Sequence, residues 1–461
     1  MLKKFPDTIL IILGILLAFI ILTWIVPAGE FARTLIDGRT VIEPGTYARV
    51  EPSPQGVGAF FTAPIRGFVE AAQIIGFVFL VGGAFSIVTF TGAVDAGLQR
   101  IIHFSRRHPS YKRWILPLVI TLFSLGGSTF GMSEETLVFV LITIPLALAL
   151  GYDSIVGVAI AFVGAGLGFA GAFINPFTIG VAQGIAELPP ASGMGYRLIV
   201  WAVITLVGIW YVMRYARKVE LNKEASPVYE IDQTRDLSAF GSGEELPLNL
   251  PRKLVLFALL AALIVLVIGV SNWHWYIDEI AGLFIALGIA SALIMRLSGD
   301  DAIQAFVNGA KDMMTAALVI GLARGLIVVA EDGKIIDTIL NGIAGGTDGL
   351  PAYLNVQIMF FFQSFLNFFV PSGSGQAALT MPIMAPLSDL LGISRQTAVL
   401  AYQFGDGLSN MIIPTSGILM GILAIAKIPY NVWLKWMLPL FLLLSLVAML
   451  LLIPPAVLFH W

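Results

Sequence analysis

The chain has 461 residues, of which 58% are hydrophobic and only 12% charged, and its formal net charge is -3. Soluble domains carry about a quarter charged residues, so a soluble globular protein, a disordered chain and a coiled coil are excluded, and no basic stripe suits nucleic acid. Cysteine is absent, which removes disulfides, thiolate metal sites and cysteine nucleophiles.

What remains is an all-α polytopic membrane protein. Lys3 and Lys4 precede an uncharged run from Thr8 to Val26. No clear small-residue cleavage site follows, so the run reads as a retained first helix rather than a signal peptide. Residues 1–66 are expected to hold that helix and an outer loop. Ala71 to Val94 is a full span. Trp114 to Phe130 and Thr136 to Leu150 are half-length runs around a polar tip. A crossing helix takes roughly 17–25 residues, so residues 114–150 read as a re-entrant hairpin. A broken helix is expected over 155–181, interrupted by AGAFINPFTIG, and Leu198 to Met213 closes a first repeat, 67–213. The charged stretch 214–253 reads as a cytoplasmic linker, and 254–295 as two linker helices. The second repeat, 296–461, opens with a span carrying Arg324. It continues with a hairpin over 350–391, a broken helix over 396–426 around IIPTSG, and a last helix over 432–459. With the N-terminus inside, the loops assigned to the cytoplasm hold most of the 26 Lys and Arg residues, as the positive-inside rule requires.

The two halves echo each other. FVEAA from Phe68 matches FVNGA from Phe306, and GGSTFGMSEET matches VPSGSGQAALT. Gly151 matches Gly392, and NPFT at Asn175 to Thr178 matches IPTS at Ile413 to Ser416. The separation of Phe68 from Pro176 equals that of Phe306 from Pro414. An odd number of crossings per repeat makes the second insert upside down. Inverted repeats with broken helices meeting at mid-membrane are the sequence signature of secondary transporters.

The polar interruptions supply the candidate site. The first tip offers Ser128, Thr129, Ser133, Glu134 and Glu135; the second offers Ser372, Gly373, Ser374 and Gln376. The broken helices offer Asn175 and Thr178, and Asp406, Asn410, Thr415 and Ser416. Exposed helix N-termini suit a carboxylate, and carbonyls and small hydroxyls suit a coupling Na+ near Ser128, Thr129, Ser374 and Thr415. An intramembrane Asp406 is functional by default, although a structural pairing with Arg324 is the plainer alternative. Arg324 has three readings: it binds a carboxylate, pairs with Asp406 or Glu331, or snorkels outward. Glu134 and Glu135 either touch the solute or mark a wet hairpin mouth. The glycines of GAGLG at Gly164 to Gly168 read as helix packing, and AGLQRIIHFSRR and KIIDTILNGI as interfacial helices. The histidines, His103, His108, His274 and His460, fall in loops or at the end of the chain. That removes an intramembrane Ser–His protease, and the lack of a P-loop removes ATP as driver. The chain is therefore read as a carrier without catalytic residues, cofactor or resident metal. A channel is the alternative of another class, since broken helices also build selectivity filters.

GMSEETLVFVLITIPLALALGYD, AGAFINPFTIGVAQ, FVPSGSGQAALTMPIMAPL and DGLSNMIIPTSG closely resemble the YfcC-type carriers of the anaerobic C4-dicarboxylate carrier (DcuC-like) group, within the ion transporter superfamily. The resemblance covers nearly the whole chain. It implies a homodimer in the bacterial inner membrane, with a scaffold and an elevator-like transport domain. It also implies a basic amino acid antiporter, such as an arginine/ornithine exchanger. The dicarboxylate branch carries Ser-Asn-Thr at its tips, whereas this chain reads SEET and SGSGQ, which points away from a dicarboxylate. A Na+- or H+-coupled carrier of a C4-dicarboxylate or another organic anion is the alternative within carriers.

Overall fold

A computed structural model describes residues 8–36, 39–43, 45–94, 96–97, 100, 107, 109–129, 131–189, 192–235, 246–273, 275, 277–344 and 350–458. The four histidines and most of AGLQRIIHFSRR lie outside the described residues. Helix α1 (Thr8–Ile25) is apolar throughout and is followed by two short antiparallel strand pairs. In one, Gly29–Glu30 faces Ala48–Arg49; in the other, Arg33–Ile36 faces Arg39–Ile42. The sequence reading had only a loop here. Asp337 pins the segment by accepting from Phe31 N at 2.9 Å and from Arg33 Nη2 at 2.8 Å.

The next elements are two bent helix pairs, one in each half. Helix α2 (Val57–Glu70) turns at Ala71 into α3 (Ala72–Phe90). The expected repeat boundary at residue 67 thus falls inside a helix. Among the described residues eight α-helices lie between the pairs. These are α4 (Pro109–Thr129), α5 (Thr136–Ala149), α6 (Ser154–Ala170, with a π turn at Ala159–Val163), and α7 (Val181–Ile185), entered through a π turn at Pro176–Gly180. Then come α8 (Met194–Leu221), α9 (Tyr229–Gln233), α10 (Leu250–Asn272) and α11 (Ile277–Met295). The second pair, α12 (Gly299–Asp312) and α13 (Met314–Asp332), is bent by 41°. After it come α14 (Ile336–Ala344), α15 (Ala352–Asn367), α16 (Gly373–Leu390), α17 (Arg395–Ser409), α18 (Gly417–Ile425) and α19 (Tyr430–Val457). Among the described residues four helices, α3, α8, α11 and α19, are long and apolar enough to cross a membrane, and the bent pair makes a fifth.

The bent pairs cross. Helix α2 lies along α13, and α12 lies along α3. Glycine permits it: a Cβ on Gly321 would stand 2.3 Å from the Phe68 ring, and one on Gly83 would stand 2.8 Å from the Phe306 ring. Around this crossing α1 and α18 pack on α13 and α11 packs on α3, with α10 lying against α11. The remaining long helices form a second group, in which α4 packs on α6, α15 on α17, and α19 on α8, α15 and α17. The expected packing role of GAGLG holds: a Cβ on Gly168 would reach 1.8 Å from the Ser124 carbonyl oxygen, and one on Gly164 would reach 3.0 Å from Phe123.

Of the expected linker 214–253, α8 runs on to Leu221 and α10 starts at Leu250, so both ends are helical. Part of what lies between is a packed strap. Buried Asp153 caps α6 by accepting from Val156 N at 2.9 Å. It also accepts from Tyr215 Oη at 2.5 Å and Ser226 Oγ at 2.7 Å. Asp232 accepts from Ser154 N at 2.8 Å and from Arg235, which in turn donates to the Ala426 carbonyl. The strap thereby ties the start of one interrupted helix to the end of the other.

Candidate functional site

Four chain reversals or breaks converge on one cavity. The first joins α4 to α5. Gly131 turns the chain at φ 74°, and Glu135 folds back so that its Oε2 accepts from Ser133 N at 2.9 Å. The second joins α15 to α16, where Ser372 Oγ accepts from Gly375 N at 3.3 Å. The third separates α6 from the π turn at Pro176, where Asn175 Oδ1 accepts from Phe177 N at 2.9 Å. The fourth separates α17 from α18, where Ser416 Oγ accepts from Leu419 N at 3.4 Å. Proline at 176 has no N–H to lose, so the helix can restart there.

The cavity has a volume of about 300 Å³, at the small end of ligand pockets. The α4–α5 turn contributes Ser133, Glu134 and Glu135, and the α15–α16 turn contributes Ser372, Gly373 and Ser374. The breaks contribute Thr178, Asn410, Thr415 and Ser416. Phe162, Phe169, Phe177 and Trp275 form apolar and aromatic wall. Glu70 and Arg324 complete it from α2 and α13. The first turns of α5, α16 and α18 all begin at this wall, and the leading N–H groups of a helix have no partner within it. The hydroxyls of Thr178 and Thr415 are buried and accept or donate no hydrogen bond.

Other expected residues stand elsewhere. Asn175 is fully buried, and its Nδ2 donates to the Gly127 carbonyl at 3.3 Å, so it ties the first hairpin to the first break rather than facing the cavity. Ser128 and Thr129 spend their hydroxyl protons on the Leu125 carbonyl, at 3.0 and 2.6 Å. Gln376 points away, donating to the Gln363 carbonyl at 2.8 Å and side-chain oxygen at 2.7 Å. Asp406 is fully buried behind the second tip. Its Oδ1 accepts from Asn410 Nδ2 at 3.0 Å, while its Oδ2 accepts nothing and would lie 3.3 Å from a Cβ on Gly373. Arg324 pairs with neither Asp406 nor Glu331. Its Nε donates to Glu70 Oε2 at 2.9 Å, a partner from the neighbouring helix that no local spacing announces.

Carbonyls freed by the breaks were expected to face an ion, and several are already engaged. Trp433 Nε1 donates to Met411 O at 2.9 Å, Tyr430 Oη to Ile412 O at 2.6 Å, and Gln403 to Phe169 O. Asn367 Nδ2 reaches Asp406 O at 3.2 Å, and Tyr402 Oη reaches Gly373 O at 2.5 Å. These supporting residues escaped the sequence reading. The aromatic pair Tyr430 and Trp433 opens the last helix, where it reads as ordinary interfacial aromatic residues.

Comparison with known proteins places the chain among carriers. The family described as C4-dicarboxylate anaerobic carrier matches residues 5–456. The YfcC protein of Escherichia coli K12, whose name carries basic amino acid antiport as a provisional assignment, is 38% identical, with 93% of this chain and 92% of that one aligned. A protein of Haemophilus influenzae Rd is 30% identical over 98% of this chain and 96% of its own. Among solved structures, MtrF of Neisseria gonorrhoeae, titled as one of a class of antimetabolite efflux pumps, aligns at 18% identity and a TM-score of 0.44. That alignment covers 99% of this chain and 96% of the other.

Proposed function

The chain belongs to the C4-dicarboxylate anaerobic carrier family and is a multi-pass membrane transporter, and from that premise we propose that it exchanges basic amino acids such as arginine and ornithine across a bacterial inner membrane. The observation that carries this is the charge layout of the cavity. Glu134 and Glu135 stand together on one tip, whereas the first turns of α16 and α18 present N–H groups from other sides. A basic amino acid has the matching pair of charges. Its carboxylate meets helix N-termini, where donors and dipole favour an anion, and its side-chain cation meets the glutamates. Three carboxylates against one guanidinium on the wall favour a cation over a dianion.

The architecture we propose is a pair of inverted repeats, 67–213 and 296–461, joined by the linker segment and its two helices. The crossing supports it: Phe68 covers Gly321 as Phe306 covers Gly83, and both partners recur at one chain separation. The hairpins are re-entrant. The group around the α2–α13 crossing serves as scaffold, and the group bearing both tips slides as an elevator. The N-terminus is cytoplasmic and the carrier is a homodimer.

The test is counterflow in proteoliposomes, with the purified carrier loaded with ornithine and labelled arginine outside, in Na+ or K+. Exchange that ignores Na+ supports this reading. A second reading rests on Arg324 in the cavity wall and on the family's description. Uptake of a dicarboxylate dependent on Na+ or H+, without arginine exchange, would establish it instead.

A further inference from the structure

The charges around the cavity are divided between the two packing groups. Glu134 and Glu135 sit on the α4–α5 tip, whereas Arg324 and Glu70 sit on the crossing pair α13 and α2. Within the fixed wall, Glu70 takes only the Nε of Arg324, at 2.9 Å. Among the described residues no other hydrogen bond reaches that guanidinium, which lines the cavity and also feels the charge of Glu331 on its own helix. A solute gripped by Arg324 and by the tip glutamates together would be tethered to both bodies and could not travel with one. Arg324 is therefore badly placed to carry solute and well placed to sense whether the tips are loaded.

We infer that Arg324 is a charge lock: it holds an unloaded tip through the Glu134 and Glu135 carboxylates and releases it when a cationic solute neutralises them, which makes transport an exchange. This rests on the reading of the protein as a basic amino acid carrier with a sliding bundle. The physical basis is attraction across a small, largely apolar cavity, where opposite charges interact several times more strongly than in water. An empty carrier leaves that attraction intact and adds it to the barrier for the return slide. A cation between the glutamates cancels it, so the loaded carrier moves in either direction. Glu70 is a positioning residue. It anchors Arg324 by one nitrogen and moderates its charge, which keeps the lock weak enough to open.

The experiment compares labelled arginine uptake into proteoliposomes that are empty or loaded with ornithine. The wild-type carrier gives uptake that depends on internal ornithine. Arg324→Gln raises uptake into empty vesicles roughly tenfold relative to exchange, equivalent to removing about 1.4 kcal/mol from the empty-carrier barrier. Arg324→Lys keeps the positive charge and the dependence on ornithine. Glu70→Gln unmasks the guanidinium and slows exchange, the opposite sign. An R324Q carrier that elutes as a monodisperse species but keeps the wild-type ratio overturns the lock. So does one that loses both fluxes in proportion, since that marks a binding or purely structural role. A wild-type carrier that exchanges no basic amino acid overturns the underlying reading, and the lock with it.

Discussion

Replacing Asp153 probes the strap on the first interrupted helix. In Asp153→Ala, the Tyr215 hydroxyl, the Ser226 hydroxyl and the Val156 N–H all lose their acceptor at a buried position. Each orphaned donor costs about 1–3 kcal/mol, and the lost helix cap is part of that total. Even with water relieving one of the three, the loss is about 2–6 kcal/mol. Asp153→Asn keeps one side-chain oxygen and should cost less. Burial pushes the Asp153 carboxyl above its ordinary value, against the lowering effect of the hydrogen bonds from Ser226, Tyr215 and Val156. With the folded value above the unfolded one, the protonated group's stabilising contribution is fully present below about pH 4. It is lost as the pH rises through the folded value. The neutral asparagine variant should therefore show a flatter stability profile across that window than the wild type. The assay is the fraction of detergent-solubilised carrier that stays monodisperse after graded heating, read as a rank order because such unfolding is commonly irreversible. Wild type should outlast D153N, and D153N should outlast D153A. Equal midpoints for all three would refute the claim that this carboxylate holds the strap.

Four further outcomes follow from the geometry. Glu134→Gln and Glu135→Gln should each weaken stabilisation by arginine by about tenfold in concentration or more, equivalent to roughly 1.4 kcal/mol, while leaving the unliganded melting midpoint within a few degrees; ligand-dependent thermal shift measures both. Thr178→Val and Thr415→Val remove hydroxyls that serve no partner in the fold, so thermal stability should hold while solute affinity falls. Gly168→Ala forces a methyl group onto the Ser124 carbonyl, which backbone cannot evade, and should abolish monodisperse expression; Gly166→Ala meets only the Met411 side chain and should be tolerated. Phe68→Ala and Phe306→Ala, which truncate half-buried rings, should cost similar amounts, each less than the roughly 3–5 kcal/mol of a fully buried phenylalanine. A large inequality in heated-fraction assays would argue against their matched roles.

Much of this architecture was legible because lipid forces the chain to declare where it stops being helical. The interruptions at Asn175 and Ile413 are marked by proline and polar residues, and the structure breaks at both. The turns at Ser133–Glu135 and Ser372–Ser374 were legible for the same reason, and they do bound the cavity. What could not be read was which way each polar side chain faces within a tip. Asn175 and Gln376 turn inward to brace their hairpins, while their neighbours Thr178 and Ser374 face the cavity. That choice depends on the opposing helix, as Glu70 does for Arg324. The short strands before α2 also escaped notice, because four-residue pairs held by Asp337 carry almost no periodic signal.

The crossing of the bent pairs has a consequence for how such a chain is assembled. Each half leaves a glycine groove that only the other half's phenylalanine fills, so a half made alone inserts with an unfilled seam. Filling that seam needs both halves but not one continuous polypeptide. Two polypeptides, one ending after Arg235 and the other starting before Leu246, should find each other in the bilayer and regain transport together, and neither should accumulate without its counterpart.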